Sequence, residues 1–242
     1  MTDSSSNSID LAALDTLTGG AFTVTTSGDR AARLRDWLEQ QTWPHEQTRL
    51  LIVDTSDSEA FSSEVRTWLA TCDYPSTQYI AMRPADAGIA DADRHQHAVY
   101  RGVQAAMPRI YNRIRTELTT GFVLIVEDDI LPPEDVAERM LRSFDQDTVS
   151  VTGAYRSRYQ TENYIAWDRG SNPLQTAGDG VQVIGGNGFG CVMLRASVLK
   201  ETVLHHGGLR GDFDPNFYKD IDPRWVAKMD WSIRCDHAGL AA

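Results

Sequence analysis

Apolar runs and mixed stretches alternate along the first half of the chain. The run at 122–126 contains only apolar residues, and the run at 49–53 is apolar after its first residue. Continuous apolar runs of this length are typical of strands that are buried on both faces of a parallel sheet. The predicted strands of this half lie at 21–26, 49–53, 78–82 and 122–126.

Helical periodicity occupies the segments between these strands. Leu34, Trp37 and Leu38 are spaced so that they share one face of a helix over 31–41. Further helices are predicted over 59–71 and from about 91 to 118. This alternation predicts an α/β fold with a mostly parallel central sheet and helices on both faces.

The second half of the chain is less regular. A strand is predicted over 149–155, and the stretch 182–194 is apolar but contains four glycines. A short helix is predicted over 227–238. We interpret residues 1–20 as a flexible N-terminal segment that could include a short helix, and residues 21–242 as one domain with a loop-rich second half.

Charge and cysteine usage narrow the class of protein. The formal net charge of −11 disfavours indiscriminate binding to nucleic acid or membrane surfaces. Cys72, Cys191 and Cys235 are odd in number and widely spaced, which indicates free thiols in a reducing compartment. No apolar run approaches the ~20 residues that span a bilayer, and the N-terminus lacks a secretory pattern. We therefore expect a cytoplasmic protein with no transmembrane segment.

Three consecutive carboxylates, Glu127, Asp128 and Asp129, follow the strand at 122–126. The carboxyl ends of parallel strands form the edge where open α/β sheets bind ligands. A divalent cation would remove the repulsion between the anions, and oxygen ligands suit Mg²⁺ or Mn²⁺ shared with substrate phosphates. Strand alternation would point Glu127 and Asp129 to one side and Asp128 to the other. We expect Asp129 to bind the metal and Glu127 to contact metal, water or sugar; a solvated acidic loop is the alternative.

Asp54 and Arg94 are candidates for contacts with a nucleotide. Asp54 ends the strand at 49–53, where its carboxylate could accept hydrogen bonds from a ribose or base, or could cap the next helix. Arg94 lies at the front of the long predicted helix. Its guanidinium could reach a diphosphate or a base carbonyl, or could pair with a nearby aspartate.

Asp230 lies beside Trp231 near the start of the last predicted helix. Its carboxylate could act as a general base or could cap that helix. His237 follows seven residues later, which would place it on roughly the same helical face. His237 is a candidate third metal ligand or a surface residue, and His205 and His206 could also serve as ligands.

Taken in order, these segments resemble the inverting nucleotide-sugar glycosyltransferases of family 2, which have the GT-A fold. The resemblance covers residues 21–239. RLLIVDTSDS is similar to the family's VVDDGS segment, DAGIADADRH to its NxGxxxARN segment, and VLIVEDDILPP to its DxD motif with trailing prolines. GGNGFGCVMLRASVL is similar to the GxxxxxRR segment, and FDPNF with MDWSIRCDHAG to the FDExF…EDxDLxxRxxxxG end.

The resemblance implies a role for each of these segments. Residues from about 21 to 130 would bind the nucleotide-sugar, and residues from about 131 to 242 would bind the acceptor and carry catalysis. Asp54 would contact the nucleotide base and Arg94 would lie at the nucleotide. The three consecutive carboxylates would contact the sugar-nucleotide and a divalent metal, Mn²⁺ or Mg²⁺. A UDP-sugar is the favoured donor.

The chain departs from the family pattern at the motif that supplies the catalytic base. Spacing to the arginine of that motif aligns Asp230 with its later aspartate, and leaves Ala227 and Lys228 at the Glu-Asp pair. Asp230 is the best candidate for the catalytic base, and Asp220 and Asp222 are alternative candidates.

The expected function is metal-dependent transfer of a hexosyl or pentosyl group from a nucleotide-diphosphate sugar to an acceptor hydroxyl, and the resemblance implies inversion. The acceptor could be a glycan, a protein, a lipid carrier or a hydroxymethylated DNA base. A glycan is favoured, because a glycan-stacking surface explains Tyr155, Tyr159, Tyr164 and Trp167, whereas DNA contacts need positive charge. Modified DNA stays a possible acceptor, because an aromatic-containing loop carries Arg156, Arg158 and Arg169. The alternatives are a sugar nucleotidyltransferase and a non-catalytic carbohydrate- or nucleotide-sugar-binding relative.

Overall fold

An eight-stranded sheet forms the centre of the computed structural model, which describes residues 9–14, 24–56, 58–82, 109–119, 121–157, 160–201 and 224–237. In chain order the strands are β1 (Ile9–Leu14), β2 (Thr48–Asp54), β3 (Ser76–Ala81), β4 (Phe122–Glu127), β5 (Ile130–Leu131), β6 (Thr148–Ala154), β7 (Ala166–Trp167), β8 (Val181–Ile184), β9 (Gly186–Asn187), β10 (Cys191–Arg195), β11 (Val226–Arg234) and β12 (Asp236–His237).

The order of strands across the central sheet is β3-β2-β1-β4-β10-β6-β11-β8. The first four of these strands pair in parallel, and β11 is parallel to β6. β10 runs antiparallel to both of its neighbours, and β8 runs antiparallel to β11. The prediction of a mostly parallel central sheet is therefore confirmed. Two small sheets pair β5 with β12 and β7 with β9.

Helices cover both faces of the sheet. They are α1 (Val24–Glu39), α2 (Glu59–Leu69), α3 (residues 109–117), α4 (Val136–Arg142) and α5 (Ala196–Glu201). One core contains Ile114 of α3, and the other contains Met140 of α4. In the part of the chain that is described, no helix is both long enough and apolar enough to cross a membrane.

The central strand β4 is buried on both faces, as its apolar run predicts. Val123 and Ile125 belong to the core on the α3 face, and Leu124 and Val126 belong to the core on the α4 face. None of these four side chains is more than 1% exposed. The alternating side chains of β4 therefore join the two cores, which holds the end of the strand in a defined position.

The prediction of a first strand at 21–26 is wrong. Ile9–Leu14 form β1, which pairs in parallel with both β2 and β4. Helix α1 already begins at Val24. Valine and threonine favour strands locally, but pairing with two neighbouring strands outweighs local propensity. The sheet consequently includes residues that the pattern assigns to an N-terminal segment.

The prediction of a helix over 227–238 is also wrong, because Val226–Arg234 form β11. The overlooked signal is an alternation with a period of two residues. Buried apolar side chains occupy every second position: Ala227, Met229, Trp231 and Ile233. The argument that placed Asp230 and His237 on one helical face does not apply.

Candidate active site

The carboxylate segment lies at the carboxyl end of β4. Glu127 is the last residue of that strand, and Asp128 and Asp129 form the turn that leads into β5. Asp128 and Asp129 are each only 5% exposed, which disfavours a solvated acidic loop. Because the chain turns at Asp128, the predicted strand alternation does not extend past Glu127.

Glu127 is held through both its backbone and its side chain. Its amide donates to the carbonyl oxygen of Gly190 at 2.9 Å. The hydroxyl of Tyr111 on α3 donates to Glu127 Oε1 at 3.1 Å. Burial, followed by the charge of Glu127, raises the pKa of Tyr111 well above 10.0. Tyr111 therefore stays protonated and remains a hydrogen-bond donor to the carboxylate.

Tyr155 supports the same region from the end of β6. The amide of Gly190 donates to the Tyr155 hydroxyl at 2.9 Å. A Cβ atom at position 190 would lie 2.9 Å from the Tyr155 ring, so this close approach requires glycine. Burial, followed by the charge of Glu127, also raises the pKa of Tyr155 well above its ordinary value.

Pairing between β5 and β12 brings His237 close to the carboxylate segment. His237 lies opposite Ile130, the residue that follows Asp129. The His237 Nε2 atom is 2.6 Å from the carbonyl oxygen of Arg156. A carbonyl oxygen can only accept, so Nε2 carries a proton and the neutral ring has its lone pair on Nδ1. This arrangement orients the ring as ligand histidines are commonly oriented.

The fit of these residues to a divalent metal is partial. Within the described ranges, no three His, Cys, Asp or Glu side chains form a group that could hold a metal ion. Carboxylate oxygens and an imidazole nevertheless suit Mn²⁺. Metal sites of this kind often use one or two carboxylates and are completed by substrate phosphates and water. The residues therefore fit a metal that is shared with a diphosphate, not a closed cage of protein ligands.

Asp54 lies on the same edge of the sheet, at the end of β2. It is 1% exposed, and its Oδ1 accepts from the Ser56 amide at 2.7 Å. Its Oδ2 accepts from the hydroxyls of Ser62, at 2.8 Å, and of Tyr79. The side chain that caps α2 belongs to Ser58, not to Asp54. Asp54 thus ties β2 to α2 and β3 at the position predicted to contact a nucleotide.

Asp230 lies on β11, which is separated from β4 by β10 and β6. It is 6% exposed and accepts from the amide and hydroxyl of Ser232 at 3.0 and 2.7 Å. Its other oxygen accepts from the hydroxyl of Ser143, which ends α4, at 3.1 Å. These contacts anchor β11 to α4. The two intervening strands keep Asp230 apart from the carboxylate segment.

Several predicted site residues lie outside the described ranges: Arg94, His205, His206, Asp220 and Asp222. Two contributors to the site, Tyr111 and Tyr155, are not predicted from the sequence. Tyr111 falls within the helix predicted from about 91 to 118, and Tyr155 is the last residue of the strand predicted over 149–155. Neither pattern indicates which hydroxyl reaches Glu127 or Gly190, because those contacts join residues that are distant in the chain.

Comparison with solved structures identifies the fold. No protein-family model matches the chain, and no curated protein matches its sequence. The chain is similar to the mannosyltransferase PcManGT from Pyrobaculum calidifontis in complex with GDP-Man and Mn²⁺, with 14% identity, a TM-score of 0.60 and 95% of this chain covered. It is also similar to S. aureus TarS 1–349 in complex with UDP, with 10% identity, a TM-score of 0.55 and 92% covered. A further structure of S. aureus TarS has 10% identity, a TM-score of 0.53 and 92% covered.

The chain shares the fold of these structures, which is the GT-A fold. It covers 56%, 57% and 35% of the lengths of the three structures, in the same order. At these identities the likeness concerns the fold, so the chemistry of the site has to be argued from its residues.

Proposed function

We propose that the protein is a metal-dependent glycosyltransferase that moves a sugar from a nucleotide-diphosphate sugar to an acceptor hydroxyl. The observation that carries the proposal is the buried carboxylate segment at the end of β4, with His237 brought beside it by β12. In a GT-A fold, this edge of the sheet is where a ligand is expected. A UDP-sugar is the favoured donor, and GDP-sugars are the first alternative.

Different residues of the site would bind different parts of the donor. Asp54 and Arg94 would contact the nucleoside, and Asp128 would contact the sugar-nucleotide. A divalent metal, Mn²⁺ or Mg²⁺, would be held by Asp129 and by one of the two other candidate ligands, Glu127 or His237, and would neutralise negative charge on the departing diphosphate. The burial of Asp128 and Asp129 strengthens these electrostatic interactions, because the local dielectric constant is lower than that of water.

The transfer step needs a base at the acceptor. Asp230 would take the proton from the acceptor hydroxyl, whose oxygen attacks the anomeric carbon while the bond to the diphosphate breaks. A single displacement of this kind inverts the configuration at the anomeric carbon. A glycan is the favoured acceptor, and a hydroxymethylated DNA base is the alternative.

The contacts of Asp230 also favour a second candidate function. Both of its oxygens already accept hydrogen bonds from serine residues, and the side chain is buried. If no other carboxylate serves as the base, the protein would bind a nucleotide-sugar without transferring it. Release of free nucleotide from the donor, with and without candidate acceptors, separates this binding protein from an enzyme.

A thermal-shift screen tests the proposal. UDP-, GDP-, TDP- and CMP-sugars are each added with and without Mn²⁺ to the unsubstituted protein, to Asp129→Ala and to Asp73→Ala. Asp73 is exposed and pairs with His45 away from the carboxylate segment, so its variant is a matched control. Ligand at about 100 times its Kd stabilises a protein by about 2.7 kcal/mol. We expect a Mn²⁺-dependent shift in the control that disappears in Asp129→Ala. A folded protein that responds to no donor would overturn the proposal.

A further inference from the structure

Tyr111 is more than a packing residue of the core beneath Glu127. It is 1% exposed, and its ring meets Phe189 edge-to-face with centroids 4.5 Å apart. A phenylalanine would make the same ring contact. The hydroxyl is the part that packing does not explain, and it donates to Glu127 Oε1 at 3.1 Å. A buried hydroxyl without an acceptor would destabilise the fold, so its placement beside a carboxylate is specific.

Glu127 is the last residue of β4 and lies opposite Leu14 of β1. The residues that follow it turn away into β5. The backbone is held by the bond from the Glu127 amide to Gly190. Tyr111 adds a second point of attachment from α3, on the carboxylate itself. Two attachments from different elements restrict the directions in which the carboxylate can point.

We propose that Tyr111 is a positioning residue that orients the Glu127 carboxylate toward the metal-diphosphate group of the donor. This role rests on the proposed function. Hydrogen-bond partners of ligating carboxylates commonly contribute 10–100-fold to metal affinity, which sets the expected size of the effect at about 10-fold.

The test compares two variants that each remove one buried tyrosine hydroxyl. Tyr111→Phe removes the hydroxyl at Glu127. Tyr74→Phe is the control, because the Tyr74 hydroxyl donates to the carbonyl oxygen of Leu38 at 2.6 Å, far from Glu127. Tyr74 precedes β3 and therefore lies at the amino ends of the parallel strands, whereas Glu127 lies at a carboxyl end. Isothermal titration calorimetry measures the affinity of each full-length protein for the Mn²⁺ complexes of UDP and of GDP. Thermal melting of both variants checks that they fold.

We expect Tyr111→Phe to weaken binding of the preferred complex about 10-fold and Tyr74→Phe to leave it unchanged. In a Glu127→Ala background, which has no acceptor for the Tyr111 hydroxyl, Tyr111→Phe should cause no additional loss, because the two residues act through one contact. Three outcomes would each overturn only the role of Tyr111: equal affinities of Tyr111→Phe and the unsubstituted protein, equal losses in both phenylalanine variants, or an additive loss with Glu127→Ala. An unsubstituted protein that binds neither complex would overturn the proposed function together with it.

Discussion

Replacing Asp54 by alanine should destabilise the fold as well as any nucleotide site. Its carboxylate is 1% exposed and accepts hydrogen bonds from Ser56, Ser62 and Tyr79. The Ser62 hydroxyl is deeply buried and would lose its acceptor, which costs about 1–3 kcal/mol. Ser56 and Tyr79 are only partly buried and can bind water instead. Removing the buried charge of Asp54 offsets part of this cost, so we expect a net loss of about 2 kcal/mol.

Urea unfolding followed by tryptophan fluorescence measures this loss as a change in the free energy of unfolding. Tyr79→Phe removes only one donor and should cost about 1 kcal/mol. Asp73→Ala changes an exposed aspartate and should stay within about 0.5 kcal/mol of the unsubstituted protein. The three variants together separate the buried network from a general effect of losing an aspartate.

A loss below about 1 kcal/mol for Asp54→Ala would refute the reasoning, because the buried Ser62 hydroxyl cannot lose its acceptor at so small a cost. A loss near the expected value has a consequence for function. Weaker donor binding by Asp54→Ala would then combine a lost nucleoside contact with a loosened β2 end. Donor affinity has to be compared with Tyr79→Phe, which disturbs the same network and keeps the carboxylate.

Three further predictions concern Asp129, Asp230 and Tyr79. Asp129→Ala should lower turnover about 100-fold while the protein stays folded by circular dichroism, and near-normal turnover would remove its metal role. Asp230→Asn should reduce turnover without abolishing donor binding, and unchanged turnover would move the base to another residue. Burial, followed by the hydrogen bond to Asp54, raises the pKa of Tyr79 from 10.0 to about 12, so its stabilising contribution is complete below about pH 10 and is lost as the pH rises toward 12. The stability advantage of the unsubstituted protein over Tyr79→Phe should therefore shrink between about pH 10 and about pH 12, and a constant difference would contradict this assignment.

Sequence patterns predict an element well where the packing around it restricts the type of residue at each of its positions. β2 and β4 are each buried on both faces, so their residues must be apolar in an unbroken run, and their predicted bounds agree with the structure to within one residue. The same runs place Asp54 and Glu127 at strand ends. The first strand fails because residues 21–26 and Ile9–Leu14 both have plausible strand composition, and only pairing decides between them.

The same distinction between local patterns and long-range pairing applies to the residues of the site. The position of Asp129 after a buried strand is readable from the chain, because burial and the break that follows it are local properties. The sequence does not predict that His237 lies close to the carboxylate segment, because β12 has two residues and pairs with an equally short β5 that is far away in the sequence. The helical period predicted around Asp230 is wrong, and strand β11 places its carboxylate against Ser143 and Ser232.

Local patterns of burial and charge are thus sufficient for the α/β class, the main strands and the acidic edge of the sheet. They carry no information on contacts between distant segments, because such contacts depend on how strands and helices pack after they form. The order of strands across the sheet, the antiparallel β10, the hydrogen bond from Tyr111 to Glu127 and the separation of Asp230 from β4 all belong to this second group. Each is decided by which apolar faces can be buried together, and that is a property of the tertiary structure.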